Sequence, residues 1–513
     1  MAMSNGQNFY EAFAVHLRSD PSAPCLVLET GEILDRMWLD QTSARYAAVL
    51  SDLGCVPGDR IAVQVDKSPH ALGLYLGCIR AGLCFIPLNT AYKQDELSYL
   101  LSNAEPQVLV CRPNHMASAE LQKYVPYLLT LGDDGRGTLA DKPESAQARC
   151  NTVGRSGEDI AALLYTSGTT GRPKGATISH RAMWSCARTL GDVWNVRKDD
   201  ILLHTLPLFH GHGLFVSSNV ILASGGRILL HKKFDTREVI SALPSATIFM
   251  GVPTYYHRLL ADKSFDRSHC EHIRLFTCGS APLSAEIHKE FEQRTQHKIV
   301  ERYGATETMI VSSNPLEGDR RPGSVGLPLP GVDLRIADSE DRALPKGEIG
   351  MIEVRSPGLF SGYWRIPDQT DQDFTVDGFF RTGDLGRVEE DGYLTITGRV
   401  KDLIISGGYN VYPSEVEAVL VTHPTIREAA VIGVPHSDFG EAVVAIVVAS
   451  DSKRPPNCNE IIALAKSKLA NFKVPQRVIT VDDFPRNTMG KIQKNLLRDS
   501  YRKLFSEVVP TRV

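Results

Sequence analysis

The chain has 513 residues, with 56 Lys and Arg against 60 Asp and Glu, a formal charge of −4, and 42% hydrophobic residues. This is ordinary globular composition and excludes disorder and collagen-like repeats. The balance gives no electrostatic reason to expect nucleic acid as a partner, and the length exceeds a single hydrophobic core, so two or more domains are expected.

The opening Met1-Ala-Met-Ser-Asn-Gly-Gln-Asn-Phe has neither a basic nor an apolar leader segment. Residues 71–81 read as a helix broken by Gly82, and Cys84-Phe-Ile-Pro as a strand. Residues 159–165 form a strand running into a Gly/Thr loop. Residues 239–243 are helical and 246–252 a buried strand. Helices alternating with strands over some 400 residues predict layered α/β architecture. Beyond Lys401 the pattern changes to a short α+β unit. Ser414 is expected to cap a helix ending at Leu420. Strands follow at 429–434 and 442–449, then a helix with Ile461, Leu464, Ala465 and Leu469 on one face. The expected division is 1–400 and 401–513. The longest apolar run, 442–449, is far short of the roughly 18 residues that span a bilayer, so no membrane partner is expected. None of the ten cysteines forms a CxxC pair, which removes a zinc ribbon; scattered single thiols suit a reduced, cytoplasmic protein.

The strongest chemical signal is Tyr165-Thr-Ser-Gly-Thr-Thr-Gly-Arg-Pro-Lys-Gly175. Gly168, Gly171 and Gly175 let the backbone turn tightly and approach a ligand. Thr166, Ser167, Thr169, Thr170 and Lys174 add hydroxyls and a cation, and such a loop after a strand wraps phosphates with its N–H groups. A plain surface turn has no use for that density of donors. The loop does not fit the Walker A spacing.

This stretch resembles the signature loop of the adenylate-forming superfamily of acyl-CoA synthetases, peptide-synthetase adenylation domains and luciferases. Arg302-Tyr-Gly-Ala-Thr-Glu307, Phe380-Arg-Thr-Gly-Asp384, Tyr393-Leu-Thr-Ile-Thr-Gly-Arg399 and Asn487-Thr-Met-Gly-Lys491 follow in the family's order, so the likeness covers nearly the whole chain. The resemblance implies a large layered α/β N-terminal domain that binds AMP and the acid, and a small mobile α+β C-terminal domain carrying the catalytic lysine. It implies a reaction in which a carboxylate is joined to the α-phosphate of ATP and a thiol, coenzyme A, then displaces AMP. Lys491 matches the cation at the α-phosphate, and the loop from Thr166 to Lys174 the β- and γ-phosphate cradle. Glu307 and Thr166 match the Mg2+ site, where hard oxygen ligands belong. Gly279-Ser280-Ala281 and Arg302-Tyr303-Gly304 match the adenine slot, and Thr306 falls among the cofactor-binding residues. Asp384 matches the acceptor for the ribose hydroxyls, with Arg399 beside it. Lys401 matches the hinge, and Gly407-Gly408 the segment that reaches the pantetheine tunnel. His210, Gly211 and Ile310 match the acyl pocket.

Arg302 narrows the choice of acid. The position before Tyr-Gly is small in many relatives, whereas in malonyl-CoA synthetases an arginine here holds the second carboxylate. The segment Pro207-Leu-Phe-His-Gly-His-Gly-Leu-Phe also resembles that subfamily. Gly211 and Ala305 depart from its pattern toward smaller side chains, which implies room for methylmalonate as well as malonate. The alternatives are a medium-chain or aromatic acyl-CoA ligase, with Arg302 paired to an acid such as Glu301, and a stand-alone adenylation module loading a carrier protein. His210 and His212 form an HxH pair, which ligates a metal only if a third ligand joins it.

Overall fold

The computed structural model describes residues 8–113, 118–142, 151–166, 173–436, 438–451, 456–487 and 490–505. By its internal contacts the chain divides into one unit of Met1–Leu334 with Val354–Phe380, and a second of Arg335–Glu353 with Arg381–Val513. Residues 335–353 and 381–400, expected with the N-terminal part, thus group with the C-terminal part.

The first unit contains two sheets. One has nine strands, and its middle runs Val300–Ala305, Leu275–Cys278, Ile248–Gly251, Ile201–His204 and Arg227–Leu230, all parallel neighbours. Ile248–Gly251 and Leu275–Cys278 are short, fully buried and mostly apolar, which suits strands covered on both faces. At one side Val300–Ala305 turns back antiparallel into Met309–Ser313. The other sheet has six strands and includes Cys84–Pro87 and the antiparallel pair Ile160–Thr166 and Lys174–Ser179.

The predicted helix at 71–81 is Pro69–Arg80. Ser68 caps it by accepting from the Ala71 N–H at 3.1 Å, proline occupies its first turn, and Gly82, with its positive φ, ends it. It packs so closely on the helix Arg36–Asp52 that a Cβ at Gly77 would lie 2.8 Å from the Ser43 carbonyl oxygen.

In the second unit, Gly440–Ala449 is buried almost throughout because it is covered on both faces. It pairs antiparallel with Ile426–His436 and parallel with Arg477–Val481. Val443, Ala445 and Val447 pack on Val416, Leu420, Ile461 and Ala465; the alternate residues Val444, Ile446 and Val448 pack on Phe484 and Leu497. Leu464, assigned to the buried face of its helix, is only partly covered, and Ile462 packs on the core instead. Ser414 does not cap its helix. The helix is Pro413–Leu420, the cap position is Tyr412, and the Ser414 hydroxyl donates to the Thr397 carbonyl. Proline at the first helical position, where no N–H is needed, starts the helix two residues earlier than a cap at Ser414 would. Among the described residues no helix is long and apolar enough to cross a membrane.

Candidate active site

In the first unit, strand ends and one hairpin gather the site. Thr166 and Lys174 are register partners where their strands leave the six-stranded sheet. Ser167, Gly168, Thr169, Thr170 and Gly171 lie outside the described residues. Glu307 sits in the turn between Val300–Ala305 and Met309–Ser313. Its Oε1 lies 3.4 Å from the Thr166 hydroxyl and 3.3 Å from the Tyr363 hydroxyl, while Lys174 Nζ stands 5.0 Å from the centre of the Tyr363 ring. Burial, then the Glu307 charge, pushes the Tyr363 phenol up, so it stays a neutral donor. A carboxylate with hydroxyl oxygens is a donor set that fits a small hard cation such as Mg2+. Tyr363 had no motif to announce it in the sequence.

Arg302, on the last parallel strand, is 4% exposed, and its Nε and Nη2 have no hydrogen-bond partner. No carboxylate lies within ion-pair distance of it among the described residues. Glu301, its neighbour in the strand, points elsewhere: its Oε1 accepts from the Leu283 N–H at 3.2 Å, and Oε2 is buried without a partner. Burial pushes the Glu301 carboxyl up to about 8, so it is largely protonated at neutral pH. Burial also pushes Arg302 down to about 10, still a cation at pH 7. The guanidinium lies across Gly279, where a Cβ would come within 2.5 Å of its Cζ, so any side chain there would push the cation aside.

His210 and His212 lie within reach of the Arg302 charge. Burial and then the Arg302 charge push His210 down to about 4 and His212 well below its ordinary value, so both rings are neutral. His212 Nδ1 lies 3.2 Å from the Ser280 hydroxyl, and Ser280 holds a left-handed backbone conformation. The His210 Nδ1 accepts the His212 N–H at 3.1 Å. Among the described residues no third ligand joins them. The one group of three metal-type side chains among those residues is Glu29, His231 and Glu238, remote in sequence from this pair. There Glu29 Oε1 already accepts the Lys232 N–H at 2.7 Å, and the Lys67 charge acts on His231, which opposes a cation. A Cβ at Gly211 would meet only Leu164 at 3.5 Å and Phe215 at 4.0 Å. Gly304 lies against Met309, and Ile310 is buried on the returning strand; Ala281, Tyr303 and Thr306 are partly exposed around them.

The second unit holds another charged group. Asp384 is 4% exposed and pairs with Arg399 across the antiparallel strands, Oδ1 to Nε 2.8 Å. Lys401 lies in the turn Val400–Asp402, whose Asp402 is fixed by Arg498 at 2.7 Å. Lys491 ends a loop closed by two bonds to Asn487, one from each direction, both 2.9 Å. Burial and the neighbouring Arg399 push the Lys491 ammonium down to about 8 against the opposing pull of Asp384. Gly407 and Gly408 form the two-residue turn of a hairpin between Ile404–Ser406 and Tyr409–Val411, and both hold the positive φ that such a turn requires.

Residues 13–364 match the family model described as AMP-binding enzyme, and residues 415–491 that of the AMP-binding enzyme C-terminal domain. The chain is 35% identical to a malonate–CoA ligase of Arabidopsis thaliana, over 87% of this chain and 79% of that one. It is 34% identical to a feruloyl-CoA synthase of an Amycolatopsis species, over 94% and 96%. Among solved structures, ATP-bound MatB from Rhodopseudomonas palustris superposes with a TM-score of 0.94 at 46% identity, covering 98% of this chain and all of that one.

Proposed function

The chain belongs to the AMP-binding enzyme family, and from that premise we propose that this AMP-forming acyl-CoA ligase acts on malonate, with methylmalonate as a second substrate. The observation that carries the choice of acid is Arg302: a buried cation with unused donors and no protein counter-charge, flanked by neutral imidazoles. An unpaired charge in a dry site is costly, and a second carboxylate is the group that answers it. A guanidinium fork binds a carboxylate through two parallel bonds, each contributing about 1.5–3 kcal/mol. A monocarboxylate such as butyrate would leave the cation unanswered, so the same residue that attracts malonate rejects its apolar competitor. The relatives named for malonate support this reading, and the open space beside Gly211 supports the methyl branch.

The chemistry runs in two steps. The acid's carboxylate oxygen attacks the α-phosphorus of ATP, the bond to the bridging oxygen breaks, and pyrophosphate leaves. The thiol sulfur of coenzyme A then attacks the acyl carbon, its proton is released, and AMP departs. Lys491 is assigned to the charge that develops at the α-phosphate. Lys174 and the loop after Thr166 are assigned to the β- and γ-phosphates. Glu307 and Thr166 would hold Mg2+, which when bound neutralises phosphate charge. Asp384, oriented by Arg399, is assigned to the ribose hydroxyls, the 279–281 and 302–304 segments to adenine, Thr306 to the cofactor-binding residues beside them, and Gly407 and Gly408 to the pantetheine arm.

Pyrophosphate release, with CoA present, is to be measured for malonate, methylmalonate, butyrate and benzoate. Malonate is expected to be the best substrate. Arg302→Gly should lower kcat/KM for malonate by a factor on the order of 10², the loss of roughly 3 kcal/mol, while butyrate use holds or rises. Preference of the unmodified enzyme for a fatty or aromatic acid over both malonates would overturn the assignment.

A further inference from the structure

Lys67 has no part in the chemistry described above, yet its ammonium is buried inside the first unit and uses each of its three N–H donors. Its Nζ lies 2.9 Å from the His204 carbonyl oxygen, 2.8 Å from the Leu206 carbonyl oxygen and 2.8 Å from His204 Nδ1. An ammonium can only donate, so His204 Nδ1 is the acceptor and the ring proton sits on Nε2. That nitrogen lies 2.9 Å from the Gly213 carbonyl oxygen and 3.1 Å from the Ser218 hydroxyl, which itself donates to Gly213 at 3.0 Å. Burial lowers the Lys67 ammonium's affinity for its proton, and the Glu29 carboxylate acts in the opposite direction as its nearest counter-charge.

The two ends of this relay are the two ends of one loop. Leu206 begins the segment with His210, Gly211 and His212, and Gly213 closes it at the start of the wide helical turn His212–Ser218. The closure is tight: a Cβ at Gly213 would lie 2.1 Å from the Pro207 carbonyl oxygen. Leu206 is therefore tied to Lys67, Gly213 to His204, and the two ties share one hydrogen bond. Between them, His210 and His212 lie within reach of the Arg302 charge, and His212 contacts Ser280, next to the Gly279 that Arg302 lies across.

We propose that Lys67 and His204 are positioning residues for the acid: they clamp both ends of the 206–213 loop and so fix the wall opposite Arg302. A carbonyl pair gripped by a cation has far less freedom than a loop held by packing alone, because charge-assisted bonds are about twice as strong as neutral ones. Without the clamp, the His210–His212 wall moves relative to Arg302. Loss of placement at a distance is then felt as loss of acid recognition. Neither Lys67 nor His204 bonds a residue assigned to the nucleotide; the link from the wall to that site is the His212–Ser280 contact. The proposal rests on the assignment of this loop to the acyl pocket, but not on the acid being malonate.

The test uses the full chain and whichever acid the unmodified enzyme uses best, so a failure of the malonate assignment appears in the unmodified enzyme and leaves this test intact. Lys67→Met keeps side-chain length and removes the donors. It should raise KM for that acid by about tenfold or more, with KM for ATP within about twofold. His204→Gln, which can meet the ammonium but cannot span to Gly213, should move the same parameter in the same direction by a smaller factor. It also serves as the test if Lys67→Met does not fold. A merely structural role would lower kcat with the folded fraction and leave both KM values alone. That result, or equal shifts in the KM for acid and ATP, would overturn the clamp.

Discussion

The proposed reaction asks Lys491 to be a cation beside the α-phosphate, and burial with neighbouring Arg399 brings its pKa down to about 8 in the free protein. The acid form of a lysine is the charged one, so its contribution is intact below pH 8 and lost above it. In a pH profile of kcat/KM for adenylate formation, which reports the free enzyme, the rate is expected to fall on the alkaline side near pH 8. Lys491→Arg should remove that limb, whatever it does to the rate itself. Glu301 titrates in the same range with the opposite logic. Its folded carboxyl is raised to about 8 from an unfolded value near 4.3. Between these values the folded chain holds a proton that the unfolded chain has released, so stability falls as pH rises through the window and levels off above it. Glu301→Gln removes the titration. Its melting temperature should gain on that of the unmodified protein between pH 5 and 8, followed by thermal melts in parallel buffers. Arg302 stood out in the sequence because a charged residue occupies a place where small ones are usual. Glu301 beside it gave no such signal, because alternation along a strand sends it to the opposite face, where its partner is a backbone N–H eighteen positions away.

At the scale of elements, two glycines of the site are glycines for different reasons. A Cβ at Gly304 would stand 1.9 Å from the Met309 carbonyl oxygen, a backbone atom that cannot turn aside, so Gly304→Ala must open the hairpin that carries Arg302, Tyr303 and Glu307. Adenylate formation should be lost and the melting temperature lowered together. Gly211 has room, and Gly211→Ala should fold and melt as before. The added methyl competes only with the branch of the substrate, so the ratio of methylmalonate to malonate turnover should drop, as a direct competition assay with CoA would record. The strands and helices were largely legible because buried parallel strands read as apolar runs and Ser68 and Gly82 punctuate a helix. The wide turn His212–Ser218 was not, because its contacts with the His204 ring, itself bonded to Lys67 137 positions away in the chain, leave no periodic pattern in the sequence. Ser414 misled for a local reason: serine before a helical pattern reads as a cap, but Pro413 had already started the helix.

At the scale of the whole molecule, the proposed two-step reaction asks the C-terminal unit to present Lys491 for one step and the Gly407–Gly408 turn for the other, with Lys401 as the proposed pivot. Proline locks φ into one narrow range, which a pivot that must change its dihedrals cannot tolerate. Lys401→Pro is therefore expected to spare one half-reaction and collapse the other, assayed separately as pyrophosphate exchange and as thioester formation from ready-made acyl-adenylate. Full turnover would move the pivot elsewhere. The motifs mark the roles of both units, but the place where the chain divides was less legible. Residues 381–400 read as the end of the N-terminal pattern because strands do not announce which neighbour will hold them. The unanswered charge of Arg302 also bears on how long the protein survives. An empty molecule carries a buried cation that unfolding would release into water, and the acid that occupies the pocket takes that incentive away. Ligand held at a hundred times its dissociation constant adds about 2.7 kcal/mol to stability. Malonate alone, without ATP, should then slow digestion of the protein by thermolysin while butyrate does not, and the enzyme's abundance would follow the supply of its own substrate.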